Sequence, residues 1–589
     1  MNVQPASRTN RVADAALAVL AAAVILVLGW HISMPCDIWW QLANGRLIVE
    51  QGGLVRADVF TFTIPGAPYL DKYWLSEVLF FLLYQAAGWA GLVALRLILP
   101  LLCMAAVLYA VRREPRWALL LAAAPVLLLL DLRYELRPYW FTFILLPLFL
   151  RLARDAFGPD APFRGRSLVP LLAVQWLWTQ LHGEFFWGPI IALLFCAESL
   201  MERFQERTLS VAEAGRRAGA VAAVAAVTLI NPFGWNLHLG LLEEARQVGT
   251  AAYGSEEWAP FFRFPIFSNH LAWGMLVVLA AGSAVAAGRR VPLAANILFW
   301  LAAALCWQSF RQLGLMALAG IFAVMENMSV APKTSPEAGR RLDGLARGGA
   351  FLAGAALMAL AVTGDYHAWR GAQKKFGFGI LNGSLPVDAA DFVASRGLRG
   401  NFINSWSDGG YLMWKLTPAV RIAEDGRTAP FPADLHELLR RVRNGEEQAL
   451  DRLESRFVVD GAVVPWHHAG FTRLLAARPE WRLVFLGAHD TVWMKASALQ
   501  AQGQSQLAIR PGQLDAYFIP ALPAESSPRD PSPAEQVYRR ALVFLSLGNT
   551  PLAVRQIAVL RACRPDDFLV RKFDEALGMS RPPSPAFGR

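Results

Sequence analysis

The residues with the clearest chemical potential follow the first long apolar run of the sequence. Asp37 comes directly after that run and begins the segment Asp37-Ile-Trp-Trp-Gln-Leu-Ala-Asn-Gly45. A helix over this segment would be amphipathic, and Trp39 and Trp40 suit the interface between membrane and water. A carboxylate held at that interface could act as a general base beside a lipid-borne substrate. The alternative is that Asp37 only caps the helix that follows it.

Three further carboxylates follow before or at the start of the next apolar run: Asp58, Asp71 and Glu77. Asp58 begins an alternating segment that predicts extended backbone, where it could serve as a turn residue as well as a ligand. Asp71 could instead pair with a neighbouring cation. Glu77 enters an apolar helix, where a carboxylate is costly unless it is paired or lines a wet cavity. With Trp40, these three residues are candidates for an acceptor pocket.

Arginines in a later loop could bind an anionic leaving group. Arg133 and Arg137 lie in the segment Asp131-Leu-Arg-Tyr-Glu-Leu-Arg-Pro138. The planar guanidinium suits phosphate, and cations stabilise the charge that develops on a departing phosphate. The alternative is a salt bridge to an acidic residue of the same segment. Arg263 and Arg311 are further candidates for the same role.

A short polar turn is predicted at His182-Gly183-Glu184, between two apolar runs. His182 could orient the acceptor or bind a divalent ion together with Asp37, and Glu184 could help to shape the pocket. The alternative for His182 is a hydrogen-bonding residue with a structural role. The segment lacks the second histidine of the His-Glu-x-x-His zinc pattern. The sequence indicates no cofactor and leaves a divalent metal ion open.

The composition indicates which elements must position these residues. Of the 589 residues, 55% are hydrophobic and only 17% are charged, against about 25% charged in soluble domains. Long apolar runs alternate with short arginine-rich loops up to about residue 364. This pattern excludes a soluble globular enzyme, a disordered protein and a fibrous repeat. It predicts a polytopic α-helical membrane protein with a soluble C-terminal tail. The net charge of +10 is spread between the apolar runs, so it does not indicate a nucleic-acid partner.

The membrane spans can be placed from the lengths of the apolar runs, since a span needs about 20 residues. We predict about eleven spans, with residues 75–87 as a further half-helix, near 12–31, 88–111, 117–131, 138–150, 167–181, 185–201, 218–231, 270–288, 291–307, 312–327 and 348–363. With a cytoplasmic N-terminus, lysine and arginine concentrate in the loops placed inside. This orientation puts the loops with the candidate residues, and the C-terminal tail, on the outer side.

The tail has three predicted parts after a membrane domain at residues 1–364. Residues 365–498 mix short strand-like and helical segments, which predicts a periplasmic α/β domain. Residues 499–533 have the composition of a linker. Residues 534–589 contain a helical hairpin that resembles one tetratricopeptide unit. Within the α/β part, Asn404–Tyr411 and Asp425–Arg427 could bind carbohydrate or form turns at strand ends.

These motifs together resemble the GT-C class of membrane glycosyltransferases, and more narrowly a bacterial branch of it. The resemblance covers about residues 10–495. It is carried by the Asp37 segment and, in order, by Asp58-Val-Phe-Thr-Phe-Thr63, Trp74-Leu-Ser-Glu77, Arg137-Pro138, Leu181-His-Gly183, Asn231-Pro-Phe-Gly-Trp235, Asn404-Ser405, Gly409-Gly-Tyr-Leu412 and Asp425-Gly-Arg427. One departure is that Cys36 and Ile38 stand beside Asp37, where many members carry a second acid.

The resemblance implies a function. GT-C enzymes transfer a sugar from a polyprenyl-phosphate donor at the outer face of the bacterial inner membrane. Their first-loop aspartate commonly acts as the general base, which implies this role for Asp37. The expected partners are the lipid-linked donor, membrane lipids and a glycan, lipid or protein acceptor. Two alternatives remain: a transporter or flippase of lipid-linked intermediates, and a non-catalytic membrane scaffold derived from the same fold.

Overall fold

The computed structural model describes residues 8–32, 37–111, 115–158, 165–248, 259–263, 267–370, 374–381, 383–427, 430–487, 489–524 and 531–577. Contacts divide the chain into two compact units. The helical unit comprises Met1–Ile32, Ile48–Leu54 and Leu70–Phe378. The sheet unit comprises Ser33–Leu47, Val55–Tyr69 and Gly379–Arg589. Two short segments from the early part of the chain therefore belong to the same unit as the C-terminal part.

The helical unit is built almost entirely from α-helices. In chain order the first fourteen helices are α1 (Arg8–Gly29), α2 (Ile38–Gln51), α3 (Trp74–Ala110), α4 (Arg116–Asp131), α5 (Tyr139–Phe157), α6 (Leu168–Leu181), α7 (Trp187–Gln205), α8 (Val211–Val227), α9 (Trp235–Val248), α10 (Phe267–Ala287), α11 (Leu293–Gln308), α12 (Leu313–Val330), α13 (Pro336–Thr363) and α14 (Asp365–Trp369). The first ten residues of α2 belong to the sheet unit. A two-residue antiparallel ladder joins β1 (His31–Ile32) to β2 (Lys375–Phe376).

Six helical stretches in the described residues are long and apolar enough to cross a membrane: Val12–Gly29, Trp74–Ala110, Gly183–Gln205, Ser268–Arg290, Phe310–Val330 and Pro336–Thr363. Several carry apolar side chains that face outward, such as Val278 at 70% exposure and Leu352 at 76%. Lipid is the solvent that suits such surfaces. The chain is therefore a multi-pass membrane protein, as its composition predicts. The number of spans stays a prediction, because shorter apolar helices such as α11 fall below the length of a typical span.

Helix α12 lies at the centre of this unit and is buried along most of its length. It packs against α4, α10 and α11. Gly314 lies against the ring of Phe143, and Gly320 lies against Leu276. Small residues at such positions let helices approach closely.

Helix α3 contains a break that the sequence predicts. Gly88 has φ +58° and ψ −149° inside an otherwise helical segment. Glycine adopts positive φ without the steric cost that a side chain would add. The predicted division between the half-helix at 75–87 and the span that begins at 88 is confirmed at this residue.

The sheet unit contains five strands in the order β4-β3-β5-β7-β6. The strands are β3 (Gly400–Ile403), β4 (Val420–Ile422), β5 (Gly461–Pro465), β6 (Trp481–Leu486) and β7 (Asp490–Lys495). Strand β3 runs parallel to β4 and β5, while β7 runs antiparallel to β5 and β6. The helices are α15 (Val387–Ser395), α16 (Trp406–Leu416), α17 (Ala433–Arg443), α18 (Glu447–Arg456), α19 (Ala469–Ala477), α20 (Ala496–Ala501), α21 (Pro533–Ser546), α22 (Thr550–Cys563) and α23 (Phe568–Ala576).

An early segment of the chain extends this sheet at β4. The Phe62 amide donates to the Ile422 carbonyl, and the Ile422 amide donates to the Phe60 carbonyl, both at 3.1 Å. The Thr63 hydroxyl donates to the Ala423 carbonyl at 2.6 Å. The alternating sequence that begins at Asp58 thus forms one isolated parallel bridge, between Thr61 and Ile422, with bends on both sides of it and no continuous strand.

The C-terminal helices share one apolar core with the rest of the sheet unit. Helices α21 and α22 pack against each other. Val537 of α21, Ile557 of α22 and Phe573 of α23 are fully buried in the cluster that also contains Trp493 of β7. The helical hairpin therefore packs as part of the sheet unit, and its likeness to a tetratricopeptide unit stays a prediction.

Candidate functional site

Asp37 lies at the start of α2, within the sheet unit. Its backbone carbonyl accepts from the Gln41 amide at 3.4 Å, and its side chain is partly exposed. One carboxylate oxygen and the indole nitrogen of Trp40 both lie beside Gly426. Trp39 packs edge-to-face on Tyr411 of α16, with ring centroids 4.9 Å apart. The predicted amphipathic helix thus places Asp37 next to two buried tryptophans, and Asp37 itself is partly exposed.

A buried ion cluster holds the loop on which Gly426 lies. Arg427 donates from Nη2 to Asp58 at 2.5 Å and to Asp425 at 2.7 Å, and from Nε to Asp425 at 2.8 Å. All three side chains are inaccessible to solvent. Burial alone would lower the pKa of Arg427, but the Asp425 and Asp58 carboxylates outweigh it and raise that pKa. Arg427 therefore stays charged.

Asp58 is held from both sides. One carboxylate oxygen binds Arg427, and the other accepts from the amide and hydroxyl of Thr61 at 3.0 and 2.6 Å. These contacts match the interpretation of Asp58 as a turn residue. Both carboxylate oxygens of Asp58 are thus engaged by contacts within the sheet unit.

We expect Gly426→Ala to impair activity more than stability. A methyl group at Gly426 would lie 2.9 Å from an Asp37 carboxylate oxygen and 3.1 Å from the Trp40 indole nitrogen. The ion cluster beside it holds the loop, so Asp37 must move instead. Displacing a reacting group by about 1 Å can cost on the order of 10²-fold in rate. The rate of turnover should fall on the order of 10²-fold, while the midpoint of thermal unfolding changes little. The control is Gly512→Ala, at a position where an added methyl group would meet open space. An unchanged rate would show that the reaction does not depend on the exact position of the Asp37 carboxylate.

The helical unit contains a second set of candidate residues. At the start of α3, Ser76 donates to the Leu181 carbonyl at 2.6 Å, and Glu77 is fully buried. Asp71 is also buried and accepts from the Tyr73 amide at 3.0 Å. Asp71 thus shapes the turn before α3. The adjacent Lys72 forms an ion pair with Glu244 of α9.

His182 is buried beneath this turn and is held by hydrogen bonds. Its Nδ1 lies 2.9 Å from the Thr142 hydroxyl, which itself accepts from the Trp178 indole at 2.7 Å. The Thr142 proton is therefore free to point at Nδ1, which also lies 3.4 Å from the Glu184 amide. Nδ1 thus acts as the acceptor, and the network assigns the proton of neutral His182 to Nε2.

Three cations surround His182. Burial lowers its pKa well below the usual value, and Arg311, Lys72 and Arg133 lower it further. The Arg311 guanidinium donates to the Tyr73 hydroxyl at 3.2 Å and lies 3.9 Å from Glu184. We call His182, Lys72, Arg133 and Arg311 the His182 cluster. Its cations and its one neutral N–H donor are suited to an anionic group such as phosphate.

The two arginines predicted to bind phosphate differ in their surroundings. Arg133 lies 4.2 Å above the ring of Tyr139 and belongs to the His182 cluster. Arg137 is half-buried in the turn before α5, where its carbonyl accepts from the Trp140 amide at 3.2 Å. The structure places Arg311, one of the alternative candidates, beside Glu184 and near His182.

We expect acidification to destabilise the protein partly through His182. The unfolded histidine takes up a proton near pH 6.5, whereas the folded residue stays neutral at that pH. The unfolded state then binds more protons below pH 6.5, so stability falls as the pH falls, with a slope approaching about 1.4 kcal/mol per pH unit. Thermal unfolding midpoints of wild type and His182→Gln should run parallel from pH 7 to 8 and converge below pH 6.5. Parallel curves down to pH 5 would contradict a buried neutral His182.

The contacts of two residues of these sites are not predicted by the sequence. Glu244 pairs with Lys72 across 172 positions of the chain. Arg427 belongs to the segment Asp425–Arg427, for which the sequence predicts carbohydrate binding or a turn at a strand end. Its cluster with Asp58 depends on a contact across 369 positions.

Comparisons with known proteins give one likeness of fold. Neither a protein-family model nor a curated protein matches the sequence. Among solved structures, the chain is similar to the archaeal oligosaccharyltransferase AglB from Archaeoglobus fulgidus, in complex with an inhibitory peptide and a dolichol-phosphate. The match has a TM-score of 0.50 and 12% sequence identity, and it covers 97% of this chain and 87% of that chain. The chain therefore shares the fold of that structure.

Proposed function

We propose that this chain is a membrane glycosyltransferase that moves a sugar from a polyprenyl-phosphate-linked donor to a glycan, lipid or protein acceptor. The observation that carries the proposal is the fold shared with AglB over 97% of the chain. AglB is an oligosaccharyltransferase, and its structure contains a dolichol-phosphate and a peptide. Since a fold hosts many functions, the proposal also needs residues able to perform the two parts of the reaction.

Asp37 is the proposed general base. In an inverting transfer, the acceptor hydroxyl oxygen attacks the anomeric carbon of the sugar, and the proton of that hydroxyl passes to the base. The bond from the same carbon to the phosphate oxygen breaks and releases polyprenyl phosphate. Asp37 is a partly exposed residue at the start of α2 with a carboxylate oxygen beside Gly426, and this placement supports the assignment. Trp40 is a proposed wall of the acceptor pocket.

The His182 cluster is the proposed binding group for the donor phosphate. A phosphate leaving group needs no general acid, but its developing charge is stabilised by fixed cations and N–H donors. Arg133 and Arg311 supply guanidinium groups, Lys72 adds a third charge, and the Nε2–H of His182 is a neutral donor. Arg137 is a further proposed ligand, as the sequence predicts. Glu184 contributes by orienting Arg311, from which it lies 3.9 Å.

The proposed reaction takes place at the outer face of a bacterial inner membrane. The excess of lysine and arginine in alternate loops supports a cytoplasmic N-terminus. With an odd number of spans, the C-terminal part then lies in the periplasm.

The test uses the full chain in detergent and a panel of radiolabelled polyprenyl-phosphate sugars. Release of free polyprenyl phosphate is followed with and without added glycan and peptide acceptors. We expect release from a subset of donors, because only some sugars will fit the site. Absence of both release and saturable donor binding would favour the scaffold alternative. Movement of intact donor across a proteoliposome membrane, without loss of its sugar, would favour the transporter.

A further inference from the structure

The sheet unit holds another group of polar side chains, at the start of β7. We propose that Asp408, His489 and Asp490 bind one divalent transition-metal ion. One ligand atom from each of the three side chains lies within 4.8 Å of the other two. None of these residues has a part in the glycosyl transfer proposed above.

Different elements bring the three side chains together. Asp408 lies in the first turn of α16, directly after β3. His489 and Asp490 lie where the β6–β7 hairpin enters β7. Asp490 is paired in register with Pro465 of β5, and the His489 carbonyl accepts from the Trp466 amide at 2.9 Å. The side chains of His489 and Asp490 are therefore carried on backbone that the sheet holds in place, and the side chain of Asp408 is carried on the helix that follows β3.

Each of the three side chains has a buried polar atom without a hydrogen-bond partner among the described residues. These atoms are Oδ2 of Asp408, Oδ1 of Asp490 and Nδ1 of His489. Asp408 is only 2% exposed and Asp490 only 3%. A buried carboxylate oxygen without a partner is costly, and such groups in native proteins usually have a partner that an ion or water supplies. The three residues that carry these atoms are the same three whose potential ligand atoms lie within 4.8 Å of one another, which indicates one shared ligand.

The two arginines that face this group form ion pairs with other carboxylates. Arg443 forms an ion pair with Glu424, and Arg539 binds Glu535 at 2.6 Å. Asp388 adds further negative charge near Asp490. Among the described residues, neither carboxylate of the group is paired with a cation of its own. A bound metal ion would therefore supply the positive charge that balances them.

The electrostatics of the group reflect its burial. Burial raises the pKa of Asp408 to about 7. Burial, Asp408 and Asp388 together raise the pKa of Asp490 well above its usual value. Burial lowers the pKa of His489 to about 3, with Arg539 and His467 as further causes. A neutral imidazole is the form that binds a metal ion.

The ligand types select the class of ion. Calcium and magnesium take oxygen ligands, usually six or more. One imidazole with two carboxylates instead suits zinc, manganese or ferrous iron, and zinc binds such sites more strongly than manganese or ferrous iron. We therefore expect Zn²⁺ to bind most tightly of these three. Because its ligands come from α16 and β7, the ion would fasten the start of that helix to the sheet.

The experiment measures zinc binding by the full chain in detergent, without a polyhistidine tag and after treatment with a chelator. Zn²⁺ is titrated against a chromophoric chelator, and Mn²⁺ is titrated in parallel. We expect one zinc ion per chain at this site, and at least a tenfold loss of its affinity in Asp490→Asn and His489→Ala. The control is His467→Ala, whose ring lies 6.4 Å from that of His489 and which should bind zinc as wild type does.

A second measurement separates loss of the site from loss of the fold. In chelator, Asp490→Asn should be at least as stable as wild type, because it removes a buried ionisable group. Zinc should raise the unfolding midpoint of wild type and of His467→Ala, but not that of Asp490→Asn. Equal zinc stoichiometry and affinity in wild type and both ligand variants would overturn the proposal. So would the absence of zinc binding in wild type, which would mean that the carboxyl groups only hold protons.

Discussion

Asp37→Asn is expected to slow the release of polyprenyl phosphate by about 10²- to 10⁴-fold, the usual contribution of a general base. The amide is nearly the same size as the carboxylate but cannot take up the proton of the acceptor hydroxyl. The anchoring contacts of Trp39 and Trp40 are untouched, so donor binding and the unfolding midpoint should change little. The rate is measured with whichever donor the wild-type protein cleaves, at saturating donor concentration.

The control for this variant is Glu50→Gln, at an exposed position on the same helix. It makes the same change of a carboxylate to an amide and should leave the rate unchanged. If Asp37→Asn and Glu50→Gln have equal rates, Asp37 is not the base. If Asp37→Asn loses donor binding as well as rate, its role is to bind the donor.

Arg427→Leu is expected to destabilise the sheet unit by about 3–5 kcal/mol, the usual cost of removing one partner from a buried ion cluster. The substitution leaves Asp58 and Asp425 facing each other without a cation, and all three side chains are inaccessible to solvent. It also loosens the attachment of the 55–69 segment to the sheet. The unfolding midpoint of the detergent-solubilised protein, or protease resistance of the sheet unit, measures this effect.

Arg421→Leu is the matched control, since Arg421 is exposed on β4. A surface substitution of this kind usually changes stability by less than about 0.5 kcal/mol. Adding Asp58→Asn and Asp425→Asn to Arg427→Leu should restore part of the loss, because the unpaired charges are then removed. Equal midpoints for the two single variants would show that the cluster does not hold the unit together.

The sequence predicts the local parts of this fold well. Apolar runs mark the helices, and the break at Gly88 falls where the half-helix was expected to end. The five strands of the sheet unit all lie within residues 365–498, where the sequence predicts a mixture of short strand-like and helical segments. These features depend on residue order and spacing over a few turns of chain, which the sequence contains directly.

The candidate sites are harder to predict because their contacts are long-range. Asp37 stands out through its place after the first apolar run, yet nothing local indicates that Gly426 lies beside its carboxylate. The sequence allows two interpretations of Asp58, and its contacts with Thr61 and Arg427 favour the structural one. His182 and Arg311 lie more than a hundred positions apart. Their proximity follows from helix packing, which residue patterns do not specify.

The pairing of residues 60–63 with β4 also implies a delay during synthesis, because the two segments are made far apart in time. Thr63 and Ala423 are 360 positions apart, and a ribosome that adds about 5–20 residues per second needs roughly 20–70 s to cover that distance. During this interval the segment has no partner strand, while the intervening membrane helices are being synthesised. It carries the apolar side chains of Phe60 and Phe62. Biogenesis of this protein therefore requires that the early segment be shielded until the last third of the chain emerges. A chain that stops before residue 423 leaves that segment permanently unpaired.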